Sequence, residues 1–158
     1  VNMKKRLIIL AVLAITLTGC SSSQLYENDK AIASEANAFM MSDCSEDING
    51  QSMKASMSKV KGMNEIWSYE ADEDMSVDIS YLFKVTNGEA KLVLINPDGT
   101  VTNIVEATSE SKMDSTTPGT LKLKKGKNEI KLVAKKDTDV EFELNIPVGE
   151  LKHMRSSE

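Results

Sequence analysis

The chain has 158 residues, with 19 basic and 24 acidic side chains and a formal net charge of −5. That length supports one domain with a real core, and the acidic balance disfavours nucleic acid and anionic phospholipid as partners. Two cysteines and one histidine exclude a disulfide framework within the domain, a CxxC redox site and any His-rich metal cluster.

The first element is a leader. Lys4, Lys5 and Arg6 precede an apolar run of 11 residues, Leu7 to Leu17. As a helix that run spans about 16 Å, well short of a bilayer core of about 30 Å, so it has the length of a secretory h-region. Leu17-Thr18-Gly19-Cys20 follows. This tetrapeptide resembles the lipobox of bacterial lipoprotein precursors. The resemblance implies cleavage before Cys20, with thioether-linked diacylglycerol on its thiolate. Two or more acyl chains, palmitate being one such chain, are enough for stable anchoring, whereas one is marginal. The expected location is the extracytoplasmic face of the cell membrane. Removing residues 1–19 takes away three positive charges and no negative one, so the net charge passes from −5 to −8.

Residues 20–50 read as lipidated Cys20, a flexible Ser21-Ser22-Ser23 spacer and a tether helix over 24–43. Leu25, Ile32, Ala36, Phe39 and Met40 form its apolar stripe, and Asn28 or Asp29 is its N-cap. Ser45 to Gln51, with Asn49-Gly50, reads as a loop. Cys44 lies near the helix end without a partner thiol.

From Ser52 the period changes to two. Met53, Ala55 and Met57 share a face. Gly62 interrupts, after which Met63, Glu65, Trp67 and Tyr69 share one face. An acidic turn, Ala71 to Asp74, leads to the clearest strand, with Val77, Ile79, Tyr81, Phe83 and Val85 inward. Asn87-Gly88 is a hairpin signal, and Lys91 to Ile95 a central strand. Asn96-Pro97-Asp98-Gly99 is a turn with Pro at its second position, Val101 to Ala107 a strand, and Ser109 to Thr117 a polar loop. Leu121 and Leu123 open the last three strands, with turns at Lys125-Gly126 and Lys136-Asp137-Thr138. Lys131 and Lys135 would face Glu141 and Glu143 across the final hairpin. The sandwich domain covers residues 51–147, and 148–158 form a polar tail.

These features predict a mainly β fold: an antiparallel, jelly-roll-like β-sandwich of about eight strands behind an N-terminal helix. Tyr81 to Gly88, Leu94 to Gly99 and Lys124 to Ile130 carry a resemblance to small uncharacterised β-sandwich surface lipoproteins of Gram-positive bacteria. The chain also resembles, more loosely, non-catalytic carbohydrate-binding jelly rolls.

Candidate chemistry is sparse. The single histidine, His153, falls in the tail, where nothing holds it against a nucleophile. Ser56 to Lys59 and Ser109 to Lys112 match Ser-x-x-Lys, but neither falls on a helix. No catalytic residue and no cofactor is assigned. Trp67 and Tyr69 are candidate sugar-stacking residues, set against ordinary core packing. Asp72, Asp74 and Asp78 are candidate calcium ligands, set against a solvated acidic turn. The functional expectation is a membrane-anchored, non-catalytic binding module whose partner is an envelope glycan or protein. The alternative is an accessory structural lipoprotein that docks on an envelope protein complex through its N-terminal helix.

Overall fold

The computed structural model describes residues 22–154; the leader, the lipobox with Cys20 and the last four residues lie outside them. Among the described residues, two short helices, α1 (Ser22–Tyr26) and α2 (Asp29–Ile32), precede nine strands. These are β1 (Ala38–Met40), β2 (Asp43–Asn49), β3 (Ser52–Ala71), β4 (Met75–Asn87), β5 (Glu89–Ile95), β6 (Val101–Thr108), β7 (Thr117–Leu123), β8 (Gly126–Asn145) and β9 (Glu150–Leu151). All pairings are antiparallel.

One connected sheet makes both layers. β8 pairs along its whole length with β3. On its other side its second half pairs with β4 and its first half with β5. β4 therefore runs on into β5 in one direction, and Asn87-Gly88 makes a bend, not the expected hairpin. Lys136-Asp137-Thr138 is likewise a bend within β8. The three long strands all break step at this level: β3 between Met57 and Gly62, the β4–β5 path at Gly88, and β8 at Asp137-Thr138. Bulges bend strands and steepen their twist, and here they fold the sheet over. The front layer runs β2, β3, β8, β4, β7. The back layer runs β1 and β9, then β3, β8, β5, β6.

Thr138 holds the bend. It is fully buried. Its hydroxyl donates to the Lys135 carbonyl at 2.7 Å and accepts from the Glu89 N–H at 3.2 Å. Gly88 passes directly over it at φ +82, and a Cβ there would collide with the Thr138 side chain and backbone. Lys59 and Asp137, at φ 50 and 60, adopt left-handed backbone, which side-chain-bearing residues hold only where surroundings over-determine it. Asp139 Oδ1 accepts from the Lys59 N–H at 2.9 Å, and Asn87 Nδ2 donates to the Asp137 carbonyl at 2.6 Å.

The core lies between the layers. Strand alternation and register stack the inward residues in rows: Ala55, Phe142 and Phe83 in one, Met57, Val140 and Val85 in the next. Leu92 with Leu132, and Leu94 with Ile130, form the opposing rows of the back layer. At about 25 cal/mol per Å² of apolar surface buried, such rows are the main stabilising term.

The expected helix over 24–43 is replaced by α1, α2 and two strands. α1 already begins at Ser22, so the flexible serine spacer is not seen there either. Asn28 is the N-cap of α2, accepting from the Ala31 N–H at 3.1 Å. α2 ends at Ile32, and Lys131 of β8 caps the chain there, donating to Ile32 O at 3.0 Å and to Ser34 O, just past the helix, at 2.6 Å. The chain then turns into β1 and β2, which pair with β3. Lys131 thus does not face Glu141 or Glu143; Glu143 pairs with Lys54 at 3.0 Å and Lys135 with Glu89 at 2.6 Å. The expected polar tail is also structured. β9 adds to β3 beside Trp67 and Ser68, and Met154 is buried. No helix among the described residues is long and apolar enough to cross a membrane.

Thr138→Val keeps the side-chain shape and removes the hydroxyl. It should cost about 1–3 kcal/mol, because partners at a buried bend are left unsatisfied. Urea denaturation checks this, and an unchanged midpoint would mean that the bend does not depend on the hydroxyl.

Candidate functional site

The two outer faces differ in kind. On the back layer the outward residues Met63, Val133, Val93 and Ile95 are apolar, and the N-terminal segment covers them with Tyr26 and Ile32. Tyr26 is fully buried there. Its ring lies under the Lys91 ammonium at 4.5 Å and the Lys135 ammonium at 4.8 Å. Such cation–π contacts each contribute about 0.5–2 kcal/mol. The Tyr26 hydroxyl donates to Glu106 at 2.8 Å. Burial first, and the Glu106 carboxylate second, push its phenol far above the usual range, so it stays neutral. Burial also lowers the Lys131 ammonium from its ordinary value.

The front layer's outer face is polar, and among the described residues nothing covers it. Register sets its rows: Asp47, Lys54, Glu143 and Leu82, then Ser45, Ser56, Glu141 and Lys84. Three shallow, open depressions adjoin along it, from Thr86, Ser58 and Asp139 through Ser56 and Glu141 to Ser80, Ser52 and Asn145. Some of these groups are engaged: Ser58 Oγ donates to Asp43 at 3.1 Å, and Lys54 pairs with Glu143 at 3.0 Å. Ser45, Ser56 and Glu141 are exposed at its centre, and among the described residues their side chains make no hydrogen bond within the chain. Rigid strands hold these oxygens in a fixed array, which suits recognition of a partner rich in hydrogen-bonding groups.

The sequence-expected sites fall elsewhere. Trp67 is in the core, and its ring is not available for stacking on a sugar. A bulge between Glu65 and Trp67 takes Trp67 off the outward face of Met63 and Glu65 and turns it inward, beside Ile130. Its Nε1 donates to the Val148 carbonyl at 2.8 Å. The final segment closes over it at Gly149, whose φ of +83 and missing Cβ let the backbone lie on the indole. Tyr69 is half-buried and stacks on Trp67 at 6.2 Å. Lys152 then pairs with Glu65 at 2.6 Å, while His153 and the Met154 N–H share the Glu46 carboxylate. His153 therefore fastens the tail to β2.

Asp72, Asp74 and Asp78 do not converge, and among the described residues no group of three or more acidic, His or Cys side chains is placed to hold a metal. Asp78 accepts from the Thr120 hydroxyl at 3.0 Å. Asp74 accepts from Lys124 Nζ and from the Lys125 N–H, both at 2.9 Å. It ties the β3–β4 crossover to the β7–β8 crossover. The Lys124 side-chain bond, with the Lys125 N–H next, holds its carboxyl below the usual range. Cys44 is exposed on the edge strand β2, and burial followed by Glu46 raises its thiol, which argues against an activated nucleophile.

No family model matches the chain, and no curated protein matches it. Solved structures with similarity include a family 29 carbohydrate-binding module in complex with mannohexaose, at 12% identity and TM-score 0.38, covering 70% of this chain and 79% of that one. A CBM4 module aligns at 9% identity and TM-score 0.38, over 81% of this chain and 91% of the other. A carbohydrate-binding module from Cellvibrio mixtus lichenase 5A, in complex with cellotriose, aligns at 14% identity and TM-score 0.35, over 67% and 88%. These values lie below the level at which two chains share a fold in detail.

Two measurements check the reassigned residues. Trp67 should emit at short wavelength and resist acrylamide; emission near that of free indole in water would contradict its burial. Asp74 should act as a structural carboxylate. Its folded pKa is lowered, so its contribution is present above the unfolded value of about 3.9 and is lost as pH falls through the folded one. Asp74→Asn should therefore lower the melting temperature at neutral pH, with the difference shrinking in acid, and calcium should release no heat on the wild type. Calcium-dependent melting would reverse this assignment.

Proposed function

We propose that the protein is a non-catalytic binding module of the cell envelope, lipid-anchored at Cys20, that takes hold of a hydroxyl-rich glycan with the outer face of its front layer. The observation that carries this reading is the asymmetry of the two outer faces. The apolar one is occupied by the chain's own N-terminal segment, and the other presents a bare array of hydroxyls and carboxylates on rigid strands. Shallow, open depressions suit an extended polymer better than a small molecule, which pockets enclose. Serine hydroxyls and carboxylates can donate to and accept from sugar hydroxyls, and the surplus of acid disfavours polyanions.

Docking on an envelope protein through the N-terminal helix fits less well. The apolar side chains that such docking would use, Leu25, Tyr26 and Ile32, are packed on the sheet.

Titration calorimetry of the mature protein with mannohexaose, cellotriose and muramyl oligosaccharides tests the proposal. Binding is expected in the micromolar to millimolar range for at least one of them. Ser56→Ala and Glu141→Ala should weaken it several-fold, and Lys30→Ala, on the covered side, should leave it unchanged. Binding to none, or binding indifferent to both front-face substitutions, would overturn it.

A further inference from the structure

Cys20 precedes α1 by two residues, and α1 ends in a side chain fixed to the back layer. From Cys20 to Ser22 the extended chain reaches at most about 7 Å. From Ser22 to Tyr26 the helix adds about 6 Å. Tyr26 itself cannot swing away cheaply. It is fully buried, capped by Lys91 and Lys135, and bonded to Glu106. Ile32 is fully buried six residues on, and Lys131 holds the backbone beyond it.

We infer that the back layer faces the bilayer and that the front polar face looks away from it into the envelope; this rests on the lipid anchor proposed above. The acylated residue stays within about 13 Å of the Tyr26 backbone. A headgroup layer is roughly 5–8 Å deep. To turn the front face to the membrane, the chain would have to pass round the edge of a sandwich whose sheets are themselves about 10 Å apart. Two residues ahead of α1 cannot do that. The groups exposed on the covered side, Gln24, Glu27, Asn28, Asp29 and Lys30, are polar and of both signs. They suit contact with lipid headgroups and not insertion into the acyl region.

The test uses the full lipidated protein, purified from membranes and reconstituted into phosphatidylcholine vesicles carrying a headgroup-attached quencher. Cys44→Ser removes the exposed thiol, and Lys30→Cys or Ser56→Cys then supplies one labelling site on each face. The Lys30 label should be quenched several-fold more than the Ser56 label. A long Gly-Ser segment inserted between Cys20 and Ser22 should abolish the difference, since flexible linkers decouple orientation. Equal or reversed quenching with the protein retained on vesicles would overturn the orientation alone. Persistence of the difference after the insertion would overturn the short tether as its cause. If Cys20→Ala left processing and membrane retention unchanged, the anchor itself would fall, and the orientation with it.

Discussion

The architecture depends on the bend at Thr138. A sandwich is usually two sheets, each with its own hydrogen-bond ladder, held together by a core. Here β3, β8 and the β4–β5 path run through both layers, so the layers exist because three strands fold over at one line. Folding over requires that each strand lose step at the same level. The Thr138 hydroxyl, fastened to Lys135 and Glu89, and the close passage of Gly88 above it meet that requirement for two of the three. Lys59, tied to Asp139, meets it for the third.

That plan leaves two outer faces, and the chain treats them differently. The back face carries apolar rows that would be a liability in water. The N-terminal segment covers them with one tyrosine and one isoleucine. Polar anchoring supplements the apolar contact: a lysine ammonium caps the carbonyls where α2 ends, and the Tyr26 ring fills the space beneath two more lysines. The C-terminal segment closes the β3 edge over Trp67 in a comparable way. The first and last of the described segments thus both complete the domain, and among the described residues the front face is left open.

Much of this was legible in the sequence. Val77, Ile79, Tyr81, Phe83 and Val85 alternate as read and are all buried. The Asn96 to Gly99 turn closes the β5–β6 hairpin, with Gly99 N–H to Asn96 O at 2.9 Å. What failed was decided at long range. A glycine with positive φ serves a hairpin or a bulge equally well, and Thr138, distant in sequence, selects the bulge at Gly88. The apolar stripe of residues 25–40 fits a helix, and only Lys131, brought across by β8, shows where that helix ends. Met63, Glu65, Trp67 and Tyr69 share a face in an unbroken strand, but the bulge before Trp67, which turns the last two inward, is invisible to a period of two. The front face was missed because Ser45 reads as part of a loop, where the structure has strand β2, and Ser56 and Glu141 read one at a time as ordinary outward strand residues. Only the register places them in one row.

The continuity of the three long strands also bears on mechanical load. A pull on the front layer, resisted at the N-terminal segment on the back layer, need not be carried across the hydrophobic core. It passes along covalent backbone through the bend, with the β3–β8 and β8–β5 ladders loaded in shear, so that many hydrogen bonds share it at once. In a two-sheet sandwich the same pull would peel one sheet from the other. Here separating the layers means straightening the bend that the Thr138 contacts fasten.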